Sequence, residues 1–211
     1  MRNSLTLLGL TTLIVVIGAI YAFSRKSTES INSPTSTSLS QESMSTTLVL
    51  TSPDFGSGGS IPSKFTCDGE QLNPALSVSG VPEGAKSLVL IMDDPDVPKQ
   101  LRPDCIFDHW ILFNLPALPS GQAGGRQVFL VERGKVPEGA VVGSNSTGKS
   151  TYIGPCPPRE YEPSRHRYFF RLYVLDAMLP LETGATKAEV LKAMKGHVIG
   201  EAELMGTYKR P

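Results

Sequence analysis

The amino-acid sequence predicts a mainly β domain with one helix near its C-terminal end, preceded by a transmembrane helix and a linker. Three observations lead to this fold class. The 211-residue chain contains 20 glycines and 17 prolines, which interrupt strands and form turns. Short apolar runs alternate with turns such as Val81–Gly84 and Val136–Gly139. One segment near the C-terminal end, Thr186–Gly196, combines helix-capping residues with the spacing of apolar residues that is typical of an amphipathic helix.

The N-terminal segment, residues 1–23, predicts a membrane anchor. Leu5–Phe23 contains no charged residue, and at about 1.5 Å per residue such a helix nearly spans a hydrocarbon core of about 30 Å. Cleavable signals have shorter apolar stretches of about 7–15 residues. We therefore expect a single-pass anchor in the cell membrane, with the domain on the extracytoplasmic side. Secretion after signal cleavage, with Ala22 as the candidate cleavage residue, is the alternative.

Residues 24–46 predict a flexible linker. Ser24–Thr46 is rich in serine and threonine and has almost no apolar content. Such a segment buries too little apolar surface to offset the entropy lost on ordering. The globular domain is therefore expected to span residues 47–211.

Apolar runs within this domain predict its strands, because they are rich in branched and aromatic residues and are bounded by turns. The four runs are Ser87–Met92, His109–Leu115, Val128–Val131 and Arg167–Leu175. A further strand is predicted at Gly200–Met205, where charged and uncharged positions alternate as in a half-exposed strand.

The predicted helix begins at a capping box. Thr186 is the N-cap and Glu189 follows three residues later, so that each can bond the other's backbone N–H. The predicted apolar stripe is Val190, Leu191 and Met194. Gly196 is a natural C-terminal stop.

Charge and cysteine content exclude some classes of function. Lys+Arg and Asp+Glu number 20 each, so the net charge gives no sign of a nucleic-acid partner. The spacing of Cys67, Cys105 and Cys156 matches no zinc pattern, and we expect no metal or cofactor. One disulfide and three buried thiols both fit an odd number of cysteines. In an extracytoplasmic domain we expect Cys156, on a proline-rich turn, to pair with Cys105 in preference to Cys67.

Two polar clusters lie at predicted strand ends. The first is Asp93–Pro98, which contains three carboxylates directly after a strand. The second joins Gly154–Pro158 to His166 and Tyr168, which lie two apart and therefore share one face of a strand. His109 also opens a strand. Taken singly, these features are more typical of a solvated turn and of structural histidines than of a binding site.

Five short motifs follow one another along the domain. They are Phe65–Glu70, Asp94–Pro98, His109-Trp110, Gly154–Pro158 and His166–Phe170. In this order they resemble the phosphatidylethanolamine-binding protein family, in its bacterial and archaeal Raf-kinase-inhibitor-like branch. The C-terminal strings Gly196–Ala202 and Gly206–Tyr208 also fit. The resemblance covers nearly all of residues 47–211 and none of residues 1–46.

The resemblance implies a fold of two packed antiparallel sheets with a shallow pocket for phosphate, acetate or a phospholipid headgroup. Carried over position by position, it implies the ligand-binding residues Asp94, Asp96, Pro98, His109, Gly154, Pro155, His166 and Tyr168. Imidazole, phenol and backbone N–H groups donate to anionic oxygens, and the aspartates would orient the histidines or receive a headgroup amine. Residues 99–108 and 159–165, which border this pocket, depart from the family pattern.

The predicted function is a membrane-tethered binding module for a phosphate-bearing or other small anionic ligand, with a kinase or a protease as a candidate target of inhibition. The resemblance implies no catalytic residue. A hydrolase that uses the His/Asp pocket is the alternative, and one form of it has Cys156 as a thiolate beside His166. The chain has neither a Gly-x-Ser-x-Gly elbow nor a His-Glu-x-x-His motif. A purely structural surface domain on a stalk is the third possibility.

Overall fold

A computed structural model of the chain describes residues 47–117 and 128–211. The elements of this part follow in the order β1 (Val49–Thr51), a 3₁₀ turn (Ser63–Phe65), β2 (Leu76–Ser79), β3 (Ser87–Asp94), β4 (Phe107–Pro116), β5 (Val128–Val131), β6 (Val141–Val142), β7 (Arg165–Leu175), α1 (Lys187–Met194) and β8 (Val198–Lys209). The predicted anchor and linker lie outside the described residues. In the described ranges no helix is long and apolar enough to cross a membrane.

The strands form two antiparallel sheets. The smaller sheet has the order β1-β2-β5, and the larger has the order β6-β4-β3-β7-β8. Side chains from both sheets, such as Val78 of β2 and Leu90 of β3, pack into one buried cluster. The predicted mainly β fold with two antiparallel sheets and one helix is therefore confirmed. The short strands β1, β2 and β6 were not predicted.

The central strand β3 is buried on both faces, which explains its continuous apolar run. Leu88 and Leu90 point into the core between the two sheets. Val89 and Ile91 point to the opposite face, where they join a second buried cluster that α1 covers. This alternation continues into the polar end of the strand, so Asp93 and Asp94 also point to opposite faces.

Helix α1 begins at the predicted capping box. The Thr186 backbone N–H donates to the Glu189 carboxylate at 2.8 Å, and the Glu189 N–H donates to the Thr186 hydroxyl at 3.3 Å. Val190 and Met194 are buried, but Leu191 is 40% exposed. The prediction that Leu191 belongs to the buried stripe is therefore wrong. It follows Val190 by about 100° around the helix, whereas residues four apart return to the same face.

The cysteine pairing also differs from the expectation. Cys67 is bonded to Cys156, with their Cα atoms 5.4 Å apart, and Cys105 is free. The 3₁₀ turn places Cys67 against the proline-rich segment, because the Cys67 N–H donates to the Pro155 carbonyl at 3.1 Å. Cys105 instead ends a separate turn, in which its N–H donates to the Arg102 carbonyl at 3.0 Å. Both the expected partner Cys105 and the three-thiol alternative were wrong.

Candidate functional site

A cavity of about 330 Å³ opens at one end of the larger sheet. Strand β3 ends there, whereas its antiparallel neighbours β4 and β7 begin there. The last residue of β3, Asp94, is paired in register with Phe107 of β4. The residues that line the cavity are Asp94, Val97, Leu101, Arg102, Phe107, His109, Ile153, Gly154, Cys156, Pro158 and His166.

The buried pair of Asp94 and His166 forms one wall of the cavity. His166 Nδ1 lies 2.7 Å from Asp94 Oδ2, and both side chains are almost completely buried. A carboxylate only accepts, so Nδ1 carries the hydrogen of this bond. The other Asp94 oxygen, Oδ1, accepts the Asp96 backbone N–H at 2.8 Å. Asp94 is thereby fixed, and it fixes the orientation of the His166 ring.

His109 is held in a different way. Its Nδ1 lies 2.7 Å from the backbone carbonyl oxygen of Ile153, which accepts and never donates. The ring is 4% exposed. Burial lowers the pKa of His109 because it disfavours the charged form, and this outweighs the bond to Ile153 and the nearby carboxylates, which act in the opposite direction. His109 is therefore a neutral imidazole in which Nδ1 holds the proton.

Tyr168 is fully buried and packs against both histidines. Its ring centroid is 5.3 Å from that of His109, edge to face, and 6.4 Å from that of His166, stacked. Burial, reinforced by the charge of Asp94, raises the pKa of the Tyr168 hydroxyl, which therefore keeps its proton. Asp94 raises this pKa by proximity but makes no hydrogen bond to the hydroxyl.

Two buried polar atoms at the cavity end of β7 are unpaired. The Tyr168 hydroxyl and His166 Nε2 have no hydrogen-bond partner among the described residues. Leaving a buried polar group unpaired costs about 1–3 kcal/mol, and such groups are rare in folded proteins. His166 lines the cavity and Tyr168 packs against His166 and His109, which both line it, so these two atoms are the natural contacts for a polar group that enters there.

The segment that contains Ile153 and Gly154 forms the opposite wall. A β-carbon at Gly154 would lie 2.5 Å from the Phe65 carbonyl oxygen, so glycine is needed for this close approach. The Ile153 N–H donates to the His109 carbonyl at 3.1 Å. The disulfide joins Cys156 to Cys67. The wall is thus attached both to β4 and to the 3₁₀ turn.

The structure brings together only part of the predicted set. Asp94, His109, Gly154 and His166 line the cavity, and the Tyr168 ring packs against both histidines without lining it. The remaining three predicted residues do not line it: Asp96, Pro98 and Pro155.

Each of these three has another role. Asp96 forms a bidentate pair with Arg167, with N–O distances of 2.6 and 2.9 Å, and Arg167 lowers the pKa of the Asp96 carboxyl. The Pro98 carbonyl accepts the Leu101 N–H at 2.8 Å and so begins the turn that carries the cavity rim. The Pro155 carbonyl accepts from Cys67.

Most of the remaining lining is apolar and was not predicted. Its members are Val97, Leu101, Phe107, Ile153 and Pro158. One cation accompanies them: the Arg102 guanidinium lies 5.8 Å from the Phe107 ring centroid, and its Nε lies 3.3 Å from Asp104 Oδ1. Arg102 lowers the pKa of the Asp104 carboxyl. Residues 99–108, which depart from the family pattern, therefore supply part of the cavity rim.

A partly buried ion network fixes the same strand ends from the opposite face of the sheet. Lys187 Nζ lies 2.6 Å from Asp93 and 2.8 Å from Asp108, and Arg171 also pairs with Asp93. Burial works against the charge of Lys187, but the bonds to Asp108 and Asp93 outweigh it and raise the Lys187 pKa. The cluster therefore joins α1 to β3 and β4. In the described ranges, no group of three or more His, Cys, Asp or Glu side chains is arranged to hold a metal ion.

Comparison with known sequences identifies relatives across this whole domain. A family model described as phosphatidylethanolamine-binding protein matches residues 51–209. A UPF0098 protein of Methanothermobacter thermautotrophicus is 49% identical over 156 residues, which are 74% of this chain and 95% of that protein. A UPF0098 protein of Chlamydia trachomatis is 47% identical over 161 residues, which are 76% of this chain and 98% of that protein.

Two solved structures of proteins described as members or homologues of the same family are also similar to this chain. The crystal structure of CT736 from Chlamydia trachomatis, described as a homologue of phosphatidylethanolamine-binding protein, has 44% sequence identity to this chain and a TM-score of 0.70. The match covers 79% of this chain and all of that one. E. coli YbcL, described as a member of the mammalian phosphatidylethanolamine-binding protein family, has 26% sequence identity to this chain and a TM-score of 0.65. That match covers 78% of this chain and 99% of YbcL.

Proposed function

The chain belongs to the phosphatidylethanolamine-binding protein family, in its YbcL-like branch, and on that premise we propose that its domain binds a small phosphate-bearing or carboxylate anion in the cavity between β3, β4 and β7. One observation carries the proposal. His166 Nε2, in the cavity lining, and the hydroxyl of the adjacent Tyr168 are buried without a partner among the described residues, and the Asp94 carboxylate fixes the His166 ring.

The chemistry of these two atoms suits an anionic oxygen. The Tyr168 hydroxyl keeps its proton and donates. His166 Nε2 donates when the ring carries both protons, and Asp94 then serves as the counter-charge on the opposite side of the ring. A hydrogen bond from such a donor to an anion is stronger than one between neutral groups. Arg102 adds a positive charge at the rim.

The cavity is larger than a lone phosphate requires. Its volume of about 330 Å³ lies within the usual range for small-molecule sites, which are mostly apolar with a few placed polar groups. The polar groups here belong to Asp94, His109 and His166, and the apolar ones to the rim. We therefore expect the anionic group to lie near β7 and its organic substituent to contact Leu101 and Phe107.

Binding without turnover is the function that the site supports best. The disulfide with Cys67 removes Cys156 as a thiolate nucleophile, which eliminates that form of the hydrolase alternative. Inhibition of a kinase or a protease is still an expectation from the family resemblance alone.

Calorimetric titration of the purified full chain, in detergent, tests this proposal. We expect inorganic phosphate to bind once per chain and neutral trimethyl phosphate not to bind. A ³¹P spectrum of ethyl phosphate incubated with the protein should stay unchanged. Absence of phosphate binding would refute the binding proposal, and release of phosphate from the ester would favour the hydrolase.

We also propose that residues 1–46 tether the domain to the membrane on the extracytoplasmic side. The uncharged stretch Leu5–Phe23 supports the tether, and a disulfide is typical of oxidising compartments. Because hydrophobic transfer is not screened by salt, the full chain should stay in the membrane fraction after a high-salt wash. Recovery of mainly a shortened, soluble form would show instead that the segment is a cleaved signal.

A further inference from the structure

We infer that a second cavity of the domain binds a small neutral molecule with several hydroxyl groups, a polyol or a single sugar ring. This cavity has a volume of about 210 Å³ and shares no lining residue with the anion cavity. It is lined by Trp110 of β4 and by three loops, residues 71–73, 134–136 and 150–152. The site is therefore additional to the cavity of the proposed function.

The indole of Trp110 is the first feature that points to a ligand. Trp110 lines this cavity and is only 1% exposed. Its one polar side-chain atom, Nε1, has no hydrogen-bond partner among the described residues. An indole N–H donates and cannot accept, and a buried donor without a partner destabilises a protein. A molecule that enters the cavity therefore gains a hydrogen bond here if it presents an acceptor.

The side chain of Asn73, which also lines the cavity, has the opposite requirement. Its Nδ2 donates to the Pro74 carbonyl at 3.2 Å and to the Glu132 carbonyl at 3.0 Å. These two carbonyls use both hydrogens of the amide and fix its orientation, because an amide oxygen cannot donate to a carbonyl. The atom that is left for a ligand is Asn73 Oδ1, which only accepts. A group that satisfies both Trp110 and Asn73 must accept and donate, as a hydroxyl does.

The charges around this cavity favour a neutral ligand. Lys135 is the one charged residue among the described residues that line it. Its Nζ pairs with Glu132, and the two side chains are 69% and 63% exposed, so their charges are solvated and screened. The Tyr152 hydroxyl donates to the Phe65 carbonyl at 2.7 Å, and burial raises the pKa of Tyr152. The described lining therefore has no unpaired charge to balance an ion.

Further hydroxyl and amide groups make the lining suitable for more than one hydroxyl. Gln71, Ser150 and Thr151 line the cavity, and their side chains can donate and accept. The loop of Ser150 and Thr151 is fixed by the buried Asn145, whose Nδ2 donates to the Thr151 carbonyl at 2.9 Å. The volume lies below the usual range of about 300–1,000 Å³ for small-molecule sites. The ligand is therefore small.

The chain reports on this cavity through a single resonance. Trp110 is its only tryptophan, so a ¹H–¹⁵N spectrum contains one indole N–H signal. Propylene glycol and dimethoxymethane are suitable probes, because they contain the same atoms and only the glycol can donate. With the full chain in a detergent without hydroxyl groups, we expect the glycol to shift the indole signal saturably. Its dissociation constant should be about tenfold lower than that of dimethoxymethane, as expected when one hydrogen bond is left unmade.

Two further probes distinguish the sources of such a ligand. Tighter binding of glycerol than of methyl glucoside would indicate a free polyol, and the reverse would indicate a sugar ring; either result supports the inference. Equal affinity of the two isomers would overturn it, because the site would then require only an acceptor. Absence of a saturable shift with every probe would also overturn it, and would show that water alone serves both atoms. Phosphate binding, measured separately by calorimetry, decides the proposed function independently.

Substitutions provide a second test, in which saturation-transfer NMR detects the glycerol signals. Trp110→Phe removes the indole N–H and should weaken glycerol binding by about tenfold. Ser150→Ala should weaken it by roughly 2- to 10-fold, whereas Ser57→Ala should not change it. Ser57 is the matched control because it is also an exposed loop serine and lines neither cavity. Unchanged glycerol binding in folded Trp110→Phe protein would overturn the inference. If this variant does not fold, the comparison of the two isomers on the unmodified chain still decides.

Discussion

His166 Nδ1 lies 2.7 Å from Asp94 Oδ2, and the two side chains are only 1% and 4% exposed. A second histidine–aspartate pair lies past the other end of β7, where His197 Nδ1 is 2.9 Å from Asp176 Oδ1 with both side chains nearly half exposed. The chain therefore contains the same pair of residue types in a buried and in an exposed setting. The exposed pair is an internal control for the buried one.

Replacing His166 with alanine removes one hydrogen bond to a charged group, which is worth about 1.5–3 kcal/mol. This energy corresponds to a weakening of phosphate binding by roughly 10- to 150-fold. The same change leaves Asp94 Oδ2 buried without its partner, so we expect a loss of stability of about 1–3 kcal/mol. His197→Ala is the control and should change neither quantity appreciably. Calorimetry and urea denaturation measure the two effects, and equal effects of the two substitutions would contradict the assignment.

Asp94→Asn tests whether Asp94 orients His166 or only repels the ligand. Removal of a nearby negative charge by itself favours an anion. If Asp94 is the counter-charge of a donating His166, the substitution should nevertheless weaken phosphate binding, by about tenfold or more. The sign of the change in dissociation constant is decisive: tighter binding would show that Asp94 is merely a repulsive neighbour.

The burial of His109 predicts a specific pH dependence of stability. Because the pKa of His109 is lowered on folding, the unfolded chain binds this proton more tightly. The contribution is complete above the unfolded pKa of about 6.5 and is lost as the pH falls from there through the folded pKa. We expect the free energy of unfolding to decrease below this pH by up to about 1.4 kcal/mol per unit more in the unmodified chain than in His109→Gln. Urea denaturation of both proteins at several pH values below about 6.5 measures this difference. If the free energy of unfolding depends on pH in the same way in both proteins, His109 is not responsible.

Local signals explain which parts of the fold and site were predictable. The apolar runs and the capping box at Thr186 depend on residues close in sequence, and the structure confirms these elements. Alternation along β3 separates Asp93 from Asp94 onto opposite faces. Asp96 lies beyond the end of the strand, where a turn sets the side-chain direction and alternation gives no information, so its pairing with Arg167 was not foreseen.

Long-range relationships were not readable from the sequence. Cys67 and Cys156 are 89 residues apart, and only the packing of the 3₁₀ turn against the proline-rich segment brings them together. The apolar rim residues, such as Leu101, belong to a segment without a regular period, so no pattern marked them as lining. The family resemblance located the histidines of the cavity but did not supply their different hydrogen-bond partners.

Loss of the disulfide should destabilise the domain. Cys67→Ser with Cys156→Ser should lower the free energy of unfolding by about 2–5 kcal/mol, because the bond restricts the unfolded chain. Cys105→Ser is the control and should have little effect, since Cys105 is free. Non-reducing peptide mapping should recover one linked peptide pair containing positions 67 and 156, and a pair containing position 105 would contradict the structure.

The guanidinium of Arg102 provides a positive charge at the cavity rim. Arg102 lies over the Phe107 ring at 5.8 Å and pairs with Asp104. Arg133 has a similar setting outside the cavity lining, over the Phe65 ring at 5.9 Å. Because Arg102 is a partly solvated charge, Arg102→Gln should weaken phosphate binding by only about 2- to 5-fold.

The effect should shrink as salt is raised from low ionic strength to physiological levels, since exposed charges are screened over about 8–10 Å. Arg133→Gln carries the same change in net charge, so it controls for the overall field of the protein. If both substitutions weaken binding equally, the rim contributes only to that overall field, and Arg102 has no specific role at the cavity. A larger effect of Arg102→Gln that survives at high salt would instead indicate a direct, desolvated contact with the anion.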